Sequence, residues 1–295
     1  MATPEDCGEA PRRPVQGGRG EVSQAWRLRR RAALSAGEVA WDVLGEGTPV
    51  VLVHGTPSWS FLWRDVAPVL AERHTVYVWD LLGYGDSERR AGQEVSIAVH
   101  GRCLAELVGA WGLDRPALVG HDIGGATVLR AHLCEGVAVR ALSLVDAVVF
   151  NPWITPTTQH VRRHLEAYET MPGHIFEQVV RAHLRTALAR PPAPEVLDAY
   201  FRPWSGEDGQ RAYLQKVAQF DEAHTAGLEP RLGDLDVPVQ VVWGEDDAWL
   251  ALDAVGRRLA AAVPGARLDT VPGAGHFSPE DDPAAVAAAL AAFLS

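Results

Sequence analysis

The segment ALVGHDIGGA, residues 117–126, constrains the possible fold more strongly than any other part of the chain. Its apolar start, residues 117–119, is typical of a strand buried on both faces of a parallel sheet. Residues 126–133 then have a helical pattern. Gly120 and Gly124 on either side of Asp122 predict a tight strand-to-helix turn in which larger neighbouring side chains would clash.

Strand-like and helix-like segments alternate through most of the chain. The predicted strands are 22–31, 38–43, 50–53, 75–79, 117–119, 139–145, 239–243 and 267–271, and the predicted helices between them are 60–70, 96–111, 126–133, 252–262 and 283–294. A turn at residues 35–37 predicts that the first two strands form a hairpin. This order predicts an α/β fold, with a mostly parallel sheet and helices on both faces.

One long segment, residues 149–228, contains no strand-like run, and its helical patterns include 160–170 and 175–188. It is interpreted as a helical cap inserted after the sixth strand. The predicted core then comprises residues 22–148 and 229–295. Residues 1–21, rich in Pro, Gly and Arg, are predicted to be a disordered N-terminal tail.

The net charge and the cysteine content of the chain indicate which partners it could bind and in which cellular compartment it would occur. A formal net charge of −11 argues against a nucleic-acid partner. The three cysteines lack metal-ligand spacing, so we expect reduced thiols, a cytoplasmic location and neither metal nor cofactor. The N-terminal segment lacks the apolar region of a secretory signal, and no apolar run is long enough to predict a membrane span.

Several motifs together resemble those of a known family. They are GHDIG at residues 120–124, HGTP at 54–57, DLLGYGDS at 80–87 and GAGHF at 273–277. The chain from residue 22 to residue 295 resembles the α/β-hydrolases, whose nucleophile lies in a Gly-x-Ser-x-Gly turn. An aspartate at that position is similar to the branch that includes epoxide hydrolases and haloalkane dehalogenases.

The resemblance implies a role for each motif. Asp122 would be the nucleophile, His276 the base and Asp247 the acid, with the backbone N–H groups of Thr56 and Ile123 as the oxyanion hole. Asp146 and Asp246 remain alternatives for the acid. For Asp122 the alternative is an N-cap of the following helix, a common role for aspartate.

An aspartate in the position of the nucleophile limits the reactions that this chain could catalyse. A carboxylate that attacks an ester would form a reactive anhydride, whereas attack on an sp³ carbon forms an ordinary alkyl ester that water can hydrolyse. His276 would activate that water, oriented by Asp247. The leaving group is therefore predicted to be an epoxide oxygen or a halide, and a non-catalytic ligand-binding protein on the same fold is the alternative from another class.

A halide needs nitrogen donors that this chain lacks at the family's usual positions. Haloalkane dehalogenases carry a tryptophan after the nucleophile and often an asparagine after His-Gly, where this chain has Ile123 and Thr56. Fluoroacetate dehalogenases have an arginine after the nucleophile, which is also absent. The indole N–H groups of Trp153 or Trp204 remain as possible halide donors.

Epoxide hydrolases use cap tyrosines as acids on the epoxide oxygen, and the layout of the cap fits this pattern. Tyr168 lies early in the cap and Tyr213 near its end, with Tyr200 as a substitute. An epoxide hydrolase is therefore the favoured prediction, with a dehalogenase as the alternative. Trp153, Trp204 and Trp249 are predicted to line a pocket for a small apolar or aromatic molecule.

Overall fold

The computed structural model describes residues 26–295. The predicted tail, residues 1–21, and the first part of the predicted strand 22–31 lie outside the described residues. In the described residues, eight strands form one sheet in the order β1-β2-β4-β3-β5-β6-β7-β8. They are β1 (Arg30–Leu34), β2 (Gly37–Leu44), β3 (Thr48–Val53), β4 (His74–Trp79), β5 (Ala117–His121), β6 (Ala141–Val145), β7 (Val239–Gly244) and β8 (Arg267–Val271).

The sheet is parallel except at one edge. β1 pairs with β2, and β2 with β4, in antiparallel register, whereas all later pairs from β3 to β8 are parallel. Leu34 lies opposite Gly37, which confirms the predicted opening hairpin. The apolar run of β3 is fully buried because helices cover both faces of the sheet, which confirms the predicted α/β architecture.

The helices of the core alternate with these strands. They are α1 (Ala67–Leu70), α2 (Ile97–Ala110), α3 (Ile123–Leu133), α10 (Arg257–Ala262), α11 (Ser278–Asp281) and α12 (Pro283–Leu294). The predicted helix 60–70 is instead a 3₁₀ turn, Ser60–Trp63, followed by the single turn of α1. In the described part of the chain, no helix has both the length and the apolar character needed to cross a membrane.

Helices fill the chain between β6 and β7, where the cap was predicted. They are α4 (Pro156–Arg163), α5 (Leu165–Glu169), α6 (Gly173–Arg185), α7 (Pro194–Phe201), α8 (Gly206–Ala218) and α9 (Ala223–Ala226). The predicted helix 160–170 starts earlier and breaks in two, because His164 has a non-helical backbone (φ −126°, ψ 34°). The inserted helices therefore change direction here.

Buried polar contacts tie α7 and its neighbours to the core. The indole N–H of Trp59 donates to the carbonyl of Ala199 at 3.0 Å. Arg64 donates two hydrogen bonds to Glu280, at 2.5 and 2.7 Å, and the hydroxyl of Tyr200 donates to the same carboxylate at 2.8 Å. These contacts hold α7 against the segments that follow β3 and β8.

Candidate active site

The turn between β5 and α3 holds Asp122 in a strained backbone conformation, with φ 53° and ψ −122°. A Cβ atom on Gly120 would lie 2.3 Å from the carbonyl oxygen of Gly124, and one on Gly124 would lie 2.5 Å from that of Val53. This confirms the predicted steric need for both glycines. The Asp122 side chain makes no capping hydrogen bond to α3, so the N-cap alternative does not describe it.

The carboxylate of Asp122 is buried, and its two oxygens have different surroundings. Oδ1 accepts a hydrogen bond of 2.6 Å from the backbone N–H of Thr56, whereas Oδ2 lies 3.4 Å from Nε2 of His276. Burial alone would raise the pKa of Asp122, but the contact with His276 and its positive charge hold the pKa below its ordinary value. The lowered pKa favours the ionised carboxylate, with one oxygen anchored and the other facing the ring of His276.

His276 lies between two carboxylates. Its Nδ1 is 2.9 Å from Oδ2 of Asp247, and its Nε2 faces Asp122 without a well-aligned hydrogen bond. Burial alone would lower the pKa of His276, but the charges of Asp247 and Asp122 raise it well above its ordinary value. Asp247 is itself fixed, because its Oδ1 accepts hydrogen bonds of 2.8 Å from the backbone of Trp249 and Leu250.

The two alternative acids lie elsewhere. Asp146 is buried at the end of β6, where it accepts hydrogen bonds from the backbone N–H of Gly244 and the hydroxyl of Ser278. Burial and the nearby charge of Asp247 raise the pKa of Asp146 well above its ordinary value. Asp246 is exposed. Of the three aspartates, the structure brings Asp247 into contact with the histidine ring.

The two backbone groups expected to form an oxyanion hole differ in their contacts. The N–H of Thr56 donates to Asp122, as described above. Ile123 is the first residue of α3, and N–H groups in a first helical turn have no partner within the helix. Within the described residues, no hydrogen bond joins the Ile123 N–H to the carboxylate, so its role in an oxyanion hole stays a prediction.

A narrow cavity of about 30 Å³ lies between this turn and the cap. Its wall includes Thr56, Pro57, Asp122, Trp249, Leu250 and His276 from the core, and Trp153, Ile154, Thr155, Thr158, His183, Tyr213, Lys216, Val217 and Phe220 from the inserted segment. The space holds only a few atoms.

The three predicted pocket tryptophans are not equivalent. Trp153 and Trp249 line the cavity, whereas Trp204 lies outside its wall. Their indole N–H groups all have protein acceptors, at 2.9 to 3.1 Å: the Thr225 hydroxyl for Trp153, the Pro57 carbonyl for Trp204 and the Thr186 hydroxyl for Trp249. None of these three groups is free to hold a halide.

The three tyrosines of the inserted segment also lie in different surroundings. Tyr213 is buried and lines the cavity, and burial raises the pKa of its phenol above the ordinary value. Tyr168 is half-buried outside the cavity wall, and its ring packs edge-on against His160. The hydroxyl of Tyr200 donates a hydrogen bond to the carboxylate of Glu280. The structure thus brings Tyr213, but neither Tyr168 nor Tyr200, to the cavity next to Asp122.

Two basic residues of the cavity wall were missed by the sequence analysis. His183 stacks on Trp249 with ring centroids 4.5 Å apart, and burial lowers its pKa to about 4. Lys216 is 2 % exposed, and its Nζ donates to Oγ1 of Thr56 at 3.1 Å. The sequence did contain an indication that Lys216 belongs to the site. It is the only lysine in the chain, and it follows Tyr213 by three residues on the same face of a helix.

The fold and this Asp–His–Asp arrangement define a hydrolase of the α/β class, and comparisons agree. A family model for the α/β hydrolase fold matches residues 48–283. Haloalkane dehalogenase 2 from Mycobacterium tuberculosis is 30% identical over 282 residues, which cover 87% of this chain and 91% of that protein. In the described residues, no cluster of three or more potential ligand side chains could hold a metal ion.

Solved structures extend the same similarity. An α/β hydrolase fold protein from Burkholderia ambifaria is 40% identical, with a TM-score of 0.86 over 90% of this chain and 97% of that one. The epoxide hydrolase CorEH is 25% identical, with a TM-score of 0.70 over 90% and 97% of the two chains. The chain belongs to the α/β-hydrolase fold family, and its relatives support a hydrolase rather than a non-catalytic binding protein.

Proposed function

We propose that this hydrolase opens an epoxide through a covalent ester on Asp122. Oδ2 of Asp122 attacks one epoxide carbon, the ring oxygen departs from that carbon and takes a proton from an acid of the cavity wall, and a hydroxyalkyl ester forms. His276 then removes a proton from a water molecule, which attacks the ester carbonyl and releases a diol. The second step regenerates the Asp122 carboxylate and releases one proton, which restores the acid.

The geometry around Asp122 is the observation that carries this proposal. Oδ1 is anchored by the Thr56 N–H at 2.6 Å, so Oδ2 is the oxygen available for attack. In the second step the carbonyl oxygen becomes an oxyanion, for which the Thr56 N–H is already in place. The 3.4 Å gap between Oδ2 and His276 Nε2, together with the cavity beside it, supports a base that acts on water next to the ester.

The donors around the cavity favour oxygen over halide as the leaving group. The indole N–H groups of Trp153 and Trp249, which line the cavity, are bound to threonine hydroxyls. Tyr213 lies in the same wall, and a phenol can donate a hydrogen bond to an epoxide oxygen. The small cavity favours a compact, mostly apolar epoxide.

A panel of small epoxides, assayed for diol formation, tests the proposal. Tyr213→Phe should slow formation of the alkyl-enzyme by about 10²-fold, the usual scale of general acid catalysis. Tyr168→Phe is the matched control, because it makes the same change in a cap tyrosine outside the cavity wall. Equal rates for Tyr213→Phe and Tyr168→Phe would contradict a role for the Tyr213 hydroxyl, and an absence of diol across the panel would contradict epoxide opening.

Carbon–halogen hydrolysis is the second candidate, because haloalkane dehalogenase 2 is similar along most of its length. The same attack by Asp122 would displace a halide instead of an epoxide oxygen. A parallel panel of chloro-, bromo- and iodoalkanes, assayed for halide release, distinguishes the two reactions. Halide release without diol formation would favour this candidate over the epoxide reaction.

A further inference from the structure

We propose that Lys216 binds the leaving atom when Asp122 is alkylated, through a charged hydrogen bond from its ammonium group. This inference rests on the proposed function, because it assigns a residue to the first step of that reaction. The ligand chemistry is an anionic oxygen or halide that departs from an sp³ carbon.

The first observation is the place of Lys216 in the site. Its Nζ donates to Oγ1 of Thr56 at 3.1 Å, and the backbone N–H of Thr56 in turn holds Asp122. Lys216, Tyr213 and Asp122 all contribute to the wall of the same cavity. The ammonium group therefore belongs to the site that a substrate must enter to reach the carboxylate.

The second observation is the way in which the ammonium group is enclosed. Nζ lies 3.9 Å from the ring centre of Tyr213, 4.3 Å from that of Trp204 and 5.4 Å from that of Tyr84. Aromatic faces attract a cation but accept no strong hydrogen bonds from it. An ammonium group has three N–H donors, and in the described part of the chain one of them has a hydrogen-bond acceptor. Two donors thus remain for a ligand.

The balance of charge explains why a buried cation suits this reaction. Before attack, the negative charge on Asp122 partly compensates Lys216, since that charge opposes the effect of burial on the pKa of the lysine. Alkylation converts Asp122 into a neutral ester and moves one negative charge to the leaving atom. Lys216 consequently faces an anion in both states, and its charge adds to that of His276 in stabilising an anion that forms in a buried site.

Lys216 and Tyr213 have different roles toward the departing oxygen. Burial lowers the pKa of the ammonium group well below its ordinary value and raises the pKa of the phenol, so Lys216 transfers the proton while Tyr213 donates a hydrogen bond to the same oxygen. With an epoxide, one proton passes from Nζ to the departing oxygen, which leaves a hydroxyl group and a neutral amine. Ester hydrolysis later releases the diol, the Asp122 carboxylate and one proton, and that proton restores the ammonium group.

The test compares Lys216→Met with Arg211→Met. Methionine has a similar length, carries no charge and packs well against aromatic rings, and Arg211 is an exposed cation on the same helix. Both changes are made in a His276→Gln background, in which the ester should accumulate, and rapid quenching with mass spectrometry gives the alkylation rate. Thermal denaturation checks the fold, and Lys216→Gln is a second neutral variant.

Lys216→Met should slow alkylation by epoxides and chloroalkanes by about 10²-fold, with a smaller loss for iodoalkanes, because iodide is the better leaving group. Arg211→Met should keep the parent rate. The same loss for every leaving group would indicate that Lys216 only supports the packing. Equal rates in Lys216→Met and Arg211→Met would overturn the inference while leaving the proposed function intact.

Iodide binding tests Lys216 without any turnover. Iodide titrated into the otherwise unaltered enzyme should quench tryptophan fluorescence, and Lys216→Met should weaken its binding about tenfold or more relative to Arg211→Met. Equal binding in the two variants would overturn the inference. If no epoxide or haloalkane alkylates Asp122 in any variant, the proposed function fails, and the iodide result still decides the anion-binding role of Lys216.

Discussion

Replacement of Asp247 by asparagine should block the second half of the reaction and leave the first half intact. His276 becomes an imidazolium when it takes the proton from water, and the carboxylate of Asp247 lies 2.9 Å from its Nδ1. With the charge centres about 4 Å apart and an effective dielectric constant of about 20, the lost attraction is about 4 kcal/mol, or about 10³-fold in rate. Asp247→Asn should slow ester hydrolysis by that factor.

Single-turnover experiments with rapid quenching separate the two steps, because intact-protein mass spectrometry follows both the rise and the decay of the ester. In Asp247→Asn the rise should match that of the unaltered enzyme, and the decay should be far slower. Asp146→Asn is the matched control, since Asp146 contacts Gly244 and Ser278 instead of the histidine. A slow decay in Asp146→Asn together with a normal decay in Asp247→Asn would refute this assignment of the acid.

Two other predictions concern pH and stability. Because the charges and hydrogen bonds of Asp247 and Asp122 together outweigh burial and raise the pKa of His276 above its ordinary 6.5, ester hydrolysis should accelerate as the pH rises through the pKa of His276. Alkylation should not accelerate over the same range, and an alkylation rate with the same rising pH profile would contradict this. Glu280→Gln removes the carboxylate that accepts two hydrogen bonds from the buried Arg64 and leaves only that of Asp65, at 3.3 Å. It should cost about 3 kcal/mol of unfolding free energy, measured by chemical denaturation. Tyr200→Phe removes one hydrogen bond to Glu280 and should cost only about 1–2 kcal/mol; equal losses would contradict a buried ion pair.

Local patterns allowed the sequence to predict the sheet and the Asp122 turn. Continuous apolar runs mark strands buried on both faces, and the glycines around Asp122 follow from contacts within a few residues of the turn and with β3. The choice between Asp146 and Asp247 could not be predicted in the same way. Both follow neighbouring parallel strands, β6 and β7, so their ends lie at the same edge of the sheet. The position of the His276 loop after β8 distinguishes them.

The cap was harder to predict because its contacts are long-range. Tyr168 and Tyr213 are both tyrosines in helical segments, and only the packing of α5 and α8 places one at the cavity and the other outside it. Lys216 shows the same difficulty. A single lysine on a helix is ordinarily a solvated side chain, and its burial depends on aromatic rings from distant parts of the chain, such as Tyr84.

The most direct measurement is the mass of the enzyme after reaction with a small epoxide in the His276→Gln variant. Without its base the variant should complete attack but not hydrolysis, so the protein should gain the full mass of the epoxide. Proteolysis should locate that mass on the peptide that contains Asp122, and Asp122→Ala should acquire none. An adduct on another residue, or diol formation that persists in Asp122→Ala, would contradict a covalent ester on Asp122.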